Sequence, residues 1–319
     1  MTKAIKIYET GGPEVLKYED VEVGDPGEGE IRIRQTASGL NFIDCYQRSG
    51  LYPMDLPCVL GSEAAGVVEA VGPGVDMAIG QRVAYAGARG SYAEERLIPA
   101  GAVVPVPDSV EDNTAAAMML KGMTVHMLLH KCYAVQPGDT ILVHAAAGGV
   151  GSIMCQWANV IGATVIGTVG SEEKAAKAKA NGAHHTINYR TENFTDRVKE
   201  ITDGKGVPVV YDSIGKDTFE GSLDCLKPFG ILVTFGNASG PIEAVQPLTL
   251  MNKGSLSISR PSLMHYTEDR QAAAAALFDV VGSGKVKIEI GQTFPLAQTA
   301  DAHIALESRQ TTGCTVLTM

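Results

Sequence analysis

Three glycines in four residues, Gly148, Gly149 and Gly151, stand between apolar runs in 144-HAAAGGVGSIMCQWANVIGATVIGTVG-170. Backbone freedom placed between two segments that both want burial marks a strand-to-helix turn. Such a turn suits one chemistry in particular. Its glycines let the backbone approach a bound pyrophosphate, and the helix behind it offers unpaired N–H groups and a partial positive charge. Gly148 and Gly151 keep the last two places of the G-x-G-x-x-G spacing, with alanine in place of the first glycine. Ala147, Gly148, Gly149, Val150 and Gly151 are therefore the expected dinucleotide contacts. A tight turn with no ligand would carry the same glycines, so the motif counts only if a strand precedes it and βα units follow.

The tip of the next strand selects the coenzyme. A site for NAD places an acid about 20 residues on, to accept from the ribose 2′-hydroxyl. Here the strand ends at Gly170-Ser171, and Glu172 and Glu173 stand where acids are favoured by the helix dipole alone. Ser171, Lys174 and Tyr189 suit a 2′-phosphate instead, although a surface lysine and a strand-end tyrosine would look alike. Further coenzyme contacts are expected at the ends of later strands: Ser213; Phe235, Gly236 and Asn237; Ser259, Arg260 and Pro261.

A second group with chemical potential is Asn41, Asp44, Tyr46, Arg48 and Tyr52. Asp44 and Arg48 are four apart, the spacing of a surface ion pair on a helix. The six cysteines form no C-x-x-C pair, which leaves no zinc ribbon and no thioredoxin-like motif. His126 and His130 share a helical spacing, but no acid–base motif surrounds them, and none of the seven histidines is assigned to catalysis. No G-x-S-x-G elbow supports a hydrolase.

The elements that position these groups follow from pattern. Short alternating runs at 3–9, 30–38, 65–72, 81–87 and 92–99, punctuated by Gly, Pro and Asp, predict mostly antiparallel strands. From 138 onward the pattern changes. Strands at 140–146, 163–169, 184–189, 207–214 and 230–236 alternate with helices near 149–161, 171–181, 191–203 and 216–227, which predicts a parallel doubly wound sheet. After 260 a helix is expected over 268–284, a strand over 285–290, a helix over 298–310 and a strand over 314–319. The 319 residues are 45% hydrophobic and carry a net charge of −10. They can bury a large core, and the charge argues against nucleic acid or an anionic membrane as partner. No run is long enough to span a membrane and no signal-peptide pattern opens the chain, so a soluble cytoplasmic protein is expected.

Together, 40-LNFIDCYQRSGLYP-53, 60-LGSEAAGVVEAVGPGV-75, 145-AAAGGVG-151, 211-YDSIG-215, 259-SRPSL-263 and 306-LESRQTTG-313 resemble one family along essentially the whole length. It is the zinc-free quinone oxidoreductase branch of the medium-chain dehydrogenases/reductases, the zeta-crystallin-like NADPH:quinone reductases. The resemblance implies an α/β chain of two domains. A GroES-like β-barrel catalytic domain would cover 1–121, completed by 262–319, and a Rossmann coenzyme domain 122–261, with the active site in the cleft between them. It implies NADP(H) as coenzyme. Asn41 and Tyr46 would line the nicotinamide side, and Tyr52 would bond a quinone oxygen or gate access. Thr124, at the start of an interdomain helix, would meet the carboxamide, and Arg309 would approach the 2′-phosphate. Zinc alcohol dehydrogenases place metal ligands at the positions of Asn41 and Ser62, and neither residue replaces a thiolate or an imidazole well, so no metal is expected. Glu63 would hold the domain seam. Without a Lewis acid, a quinone or other conjugated acceptor is the easier substrate, because its product spreads the incoming charge. Delivery of one or two electrons stays open. A reductase of α,β-unsaturated aldehydes or ketones is the nearest rival, and a dinucleotide-binding structural or RNA-binding protein the non-enzymatic one. A homodimer paired through the last Rossmann strand, 254–259, is expected.

Overall fold

The computed structural model describes residues 1–266 and 270–319. The chain divides into two compact units, one of residues 1–123, 274–282 and 288–319, the other of 124–273 and 283–287. The first unit opens with β1 (Thr2–Ile7), β2 (Lys17–Val21), β3 (Glu30–Leu40), the helix α1 (Phe42–Ser49), β4 (Cys58–Val59), β5 (Glu63–Val71), β6 (Arg82–Ala86), β7 (Glu95–Pro99) and β8 (Val104–Pro105). The helix α2 (Asp112–Met127) runs across the division.

The second unit continues with β9 (Thr140–Val143), α3 (Gly149–Ile161), β10 (Thr164–Val169), α4 (Glu172–Ala180), β11 (His185–Asn188), α5 (Phe194–Ile201) and β12 (Val207–Asp212). It ends with α6 (Phe219–Asp224), β13 (Leu226–Thr234), α7 (Pro247–Asn252) and β14 (Ser257–Ser259). The helix α8 (Arg270–Gly282) leads to β15 (Ile290–Pro295), α9 (Thr299–Glu307) and β16 (Cys314–Thr318).

In the first unit β3 is the organising strand. Its alternation buries Ile31, Ile33 and Gln35 on one face, and it pairs antiparallel with β5, β7 and β16. Ile31, Ile33, Val68, Val83, Tyr85 and Ile98 form one core, and Ile5, Ile7, Leu40, Leu60, Tyr92 and Leu317 another. In the second unit the strands lie in the order β11-β10-β9-β12-β13-β14, every pair parallel. That is the doubly wound order whose reversal falls at β9, the strand that runs into the glycine turn. β12 is buried at all six residues, as a strand covered on both faces must be.

Two sequence expectations are corrected. The strand expected over 285–290 forms over Ile290–Pro295, in parallel register with β16. The Gln156 amide takes both backbone groups of Lys287, accepting from its N–H at 2.8 Å and donating to its carbonyl at 2.9 Å, so no ladder is needed there. Thr124 does not begin a helix, because α2 starts twelve residues earlier at Asp112. Gly122, inside α2, is a close-packing position: a Cβ there would run into the Leu277 side chain. The expected helix over 268–284 is seen from Arg270, and residues 267–269 lie outside the described residues. No helix among the described residues is long and apolar enough to cross a membrane.

Candidate coenzyme and active site

The glycine turn is built from backbone. β9 ends at Val143, Ala145 takes left-handed backbone (φ 52°), and the Gly148 amide closes the turn on the Ala145 carbonyl at 2.9 Å. Gly148 caps α3 with no side-chain bond, which leaves the first amides of the helix to an outside acceptor. Gly151 shows why a side chain is excluded. A Cβ there would overlap the Ala145 carbonyl oxygen and come within 2.8 Å of Ala146 Cα. The helix therefore starts tight against the strand end, and its N-terminus can take a pyrophosphate.

At the next strand end, Gly170, Ser171, Lys174 and Tyr189 come together. A Cβ on Gly170 would lie 2.5 Å from the Tyr189 hydroxyl, so the tyrosine lies over that glycine. Ser171 caps α4, accepting from the Lys174 amide at 3.2 Å. Glu172 is turned aside, its carboxylate accepting from Asn188 Nδ2 at 3.0 Å. Glu173 lies 3.9 Å from Lys177 on the exposed face of α4. The Ser171 and Tyr189 hydroxyls suit an added phosphate, and Glu172, which could have served a bare ribose, is engaged by Asn188. These features fit NADP(H).

Past β12, Asp212 organises the loop that carries Ser213, accepting from the amides of Ile214 (2.7 Å) and Gly215 (3.1 Å). Past β13, Arg260 donates to Thr234 Oγ1 at 3.1 Å and to the Gly236 carbonyl at 2.9 Å. With the Asn237 amide turned so that both its groups are satisfied, its oxygen also accepts from Arg260, at 2.9 Å. Phe235, Gly236, Asn237 and Arg260 thus share one corner, next to Ser259 at the end of β14 and to Pro261.

In the first unit, Asn41 directly precedes α1, and its backbone N–H donates to Asp44 Oδ2 at 2.9 Å. The Asn41 side chain donates to Glu63 Oε1 at 2.8 Å. Glu63 also accepts from Lys121 Nζ (2.6 Å) and the Leu120 amide (2.6 Å), and it is fully buried. Burial would lower the Lys121 ammonium, but Glu63 outweighs it and holds the pKa above the ordinary value. All of these partners of Glu63 belong to the first unit. The Tyr46 and Tyr52 rings meet edge to face at 5.3 Å, and the Tyr52 amide donates to the Tyr46 carbonyl at 3.0 Å. Arg309 follows α9, exposed and in left-handed backbone (φ 60°).

Asp44 and Arg48 are not a surface ion pair. Both are buried, and each is engaged elsewhere. Asp44 accepts from Ser62 Oγ at 2.6 Å and from the Tyr92 hydroxyl at 2.9 Å. Desolvation pushes its carboxyl up to about 6, against those bonds and the Asn41 amide, which hold it down. Arg48 grips Glu307 with two bonds (2.8 and 3.0 Å) and donates to the Gly11 carbonyl (3.1 Å). Its Nη1 also lies 3.1 Å from His303 Nδ1. Burial and the neighbouring Arg48 bring the His303 imidazole down to about 3. Ser62, Tyr92, Lys121, His303 and Glu307 carry no local motif, and sequence reasoning missed their part in this cluster. Among the described residues no three His, Cys, Asp or Glu side chains gather as a metal ligand set.

Comparison with known proteins decides the family. Residues 27–108 match an alcohol dehydrogenase GroES-like domain and residues 149–279 a zinc-binding dehydrogenase domain. A quinone oxidoreductase of Pseudomonas aeruginosa is 52% identical, with 99% of each chain covered. The chain belongs to the quinone oxidoreductase family of the medium-chain dehydrogenases/reductases. The crystal structure of Escherichia coli quinone oxidoreductase complexed with NADPH superimposes with a TM-score of 0.97 at 47% identity, over 99% of this chain and 100% of that one. A 2-haloacrylate reductase of a Burkholderia species is 49% identical, again with 99% of each chain covered. Within this family the fold is the GroES-like unit plus Rossmann sheet expected from the sequence.

Proposed function

We propose that the chain is an NADPH-dependent quinone oxidoreductase that passes reducing equivalents to a quinone without a metal. The observation that carries the reading is full-length similarity to quinone oxidoreductases, joined to a phosphate-suited strand end at Ser171, Lys174 and Tyr189. When bound, the coenzyme supplies a hydride from its reduced nicotinamide. The protein's part is binding and orientation. The α3 N-terminus and the turn 145–151 hold the pyrophosphate, and Ser171, Lys174, Tyr189 and Arg309 hold the 2′-phosphate. Ser213, the corner 235–237 and residues 259–261 flank the rest. Asn41, fixed by Glu63, and Tyr46 and Thr124 attend the nicotinamide, and the Tyr52 hydroxyl donates to an acceptor oxygen.

The relative named 2-haloacrylate reductase favours a second reading in which the acceptor is an α,β-unsaturated compound. We also assign the protein to the cytoplasm, as a homodimer. The dimer reading rests on β14, the short edge strand of the parallel sheet, whose pairing groups would otherwise lie open. Steady-state oxidation of NADPH with 1,4-benzoquinone, 9,10-phenanthrenequinone and trans-2-alkenals tests the reading. Turnover of both quinones is expected. Turnover of the alkenals alone would sink it in favour of the second reading, and turnover of none would favour a binding role.

A further inference from the structure

The glycine turn hangs on a histidine that local motifs pass over. His144 immediately follows β9, is 1% exposed, and precedes Ala145. Its Nδ1 lies 2.9 Å from Thr168 Oγ1 and its Nε2 3.0 Å from Ser222 Oγ. Ser222 Oγ donates on to Asp212 Oδ2 at 3.2 Å, and Thr218 Oγ1 donates to the same oxygen at 2.7 Å. The other Asp212 oxygen accepts from the Ile214 and Gly215 amides. A serine hydroxyl has a single proton to give. With that proton on Asp212, Ser222 must accept from the imidazole, so His144 carries its proton on Nε2. Nδ1 is then the acceptor, and the Thr168 hydroxyl donates to it. The bonds run in one direction, from Thr168 through His144 and Ser222 to Asp212. Burial lowers the imidazole's pKa more than the Asp212 charge raises it, which keeps the ring neutral. The Phe194 ring closes over the histidine edge to face at 5.1 Å.

The place of this chain in the fold gives it a consequence. His144 leads into the turn 145–151. Thr168 stands three residues before Ser171. Asp212 holds the loop of Ser213. We propose that His144 is a positioning residue for the coenzyme, joining these three loops into one rigid binding surface through Thr168, Ser222 and Asp212. The proposal rests on the NADPH reading above. A histidine that merely filled the core would leave coenzyme affinity indifferent to the hydroxyls at either end of it.

Three measurements test the proposal. Nitrogen-15 NMR of the unliganded protein reads the His144 tautomer, with Nε2–H expected. Fluorescence titration gives NADPH affinity for Thr168→Val and Ser222→Ala. Thr168→Val removes one buried hydrogen bond and Ser222→Ala removes two, and each should weaken NADPH about tenfold or more, while the KM for quinone and kcat at saturating coenzyme stay near wild type. Thr168→Ser keeps the hydroxyl and should restore affinity. An Nδ1–H tautomer would overturn the proposal. So would folded Val and Ala variants that bind NADPH as wild type does, or a Ser variant as weak as Val. The tautomer is read on the wild-type protein and decides the matter even if a variant does not fold. Wild-type protein that neither binds nor oxidises NADPH refutes the coenzyme reading itself, and this proposal with it.

Discussion

The glycine turn of the second unit and the polar cluster around α1 in the first are built in opposite ways. The turn is backbone held in place by the lack of side chains, within a dozen consecutive residues. The α1 cluster is side chains held in place by charge, drawn from Asp44, Arg48, Ser62, Tyr92, His303 and Glu307. One is damaged by adding a carbon, the other by removing a charge. The difference teaches that a binding cradle and a positioning lattice respond to different substitutions, and each can be broken separately.

The largest expected effect is on the cradle. Gly151→Val places carbon where the Ala145 carbonyl already stands, and backbone cannot step aside as a side chain can. NADPH affinity should fall by about a hundredfold or more, the scale of an overpacked site that cannot relax. Fluorescence titration checks it, and wild-type affinity would mean the helix does not start against the strand end as described. Next is the lattice. Arg48→Met leaves Glu307, His303 and the Gly11 carbonyl without their shared donor. Unfolding by denaturant should show a loss of about 2–3 kcal/mol, below the full value for a buried pair because Glu307 is partly exposed. An unchanged midpoint would make the cluster ornamental.

Asp44 sharpens the contrast through pH. Its carboxyl is raised from 3.8 to about 6 on folding, so the folded protein holds that proton more tightly than the unfolded chain does. The contribution to stability is fully present below pH 3.8 and is lost as pH rises through about 6. Asp44→Asn does not titrate. Relative to this variant, the wild type should lose about 2 kcal/mol between pH 4 and pH 6.5 and change little above. A wild-type–variant difference that does not vary with pH would contradict the burial argument. The smallest effect discriminates coenzymes: Lys174→Ala should weaken NADPH about tenfold and leave NADH unchanged in parallel titrations. Equal losses for both would remove Lys174 from the phosphate site.

The same contrast explains what could be read from the sequence. The doubly wound sheet, the glycine turn and the strand end at Ser171 and Tyr189 are local patterns, with strand, turn and helix adjacent in the chain. The α1 cluster is not local. Nothing near Arg48 announces Glu307, 259 residues away, and the four-residue spacing to Asp44 suggested a surface pair that folding does not make. His144 was passed over for a related reason: its partners Thr168 and Ser222 lie 24 and 78 residues on, and only the parallel sheet brings them to it. The strand expected over 285–290 shows a third limit. Alternation marks a segment fit for a sheet, but the pairing partner β16 sets which stretch hydrogen-bonds.

The most direct measurement is a single turnover. Protein treated with a strong chelator and preloaded with NADPH is mixed with 1,4-benzoquinone, and the nicotinamide absorbance is followed against an untreated control. The account predicts complete NADPH oxidation at the same rate in both samples, with quinone reduced in step. Loss of turnover after chelation, or NADPH that persists beside the quinone, would contradict it.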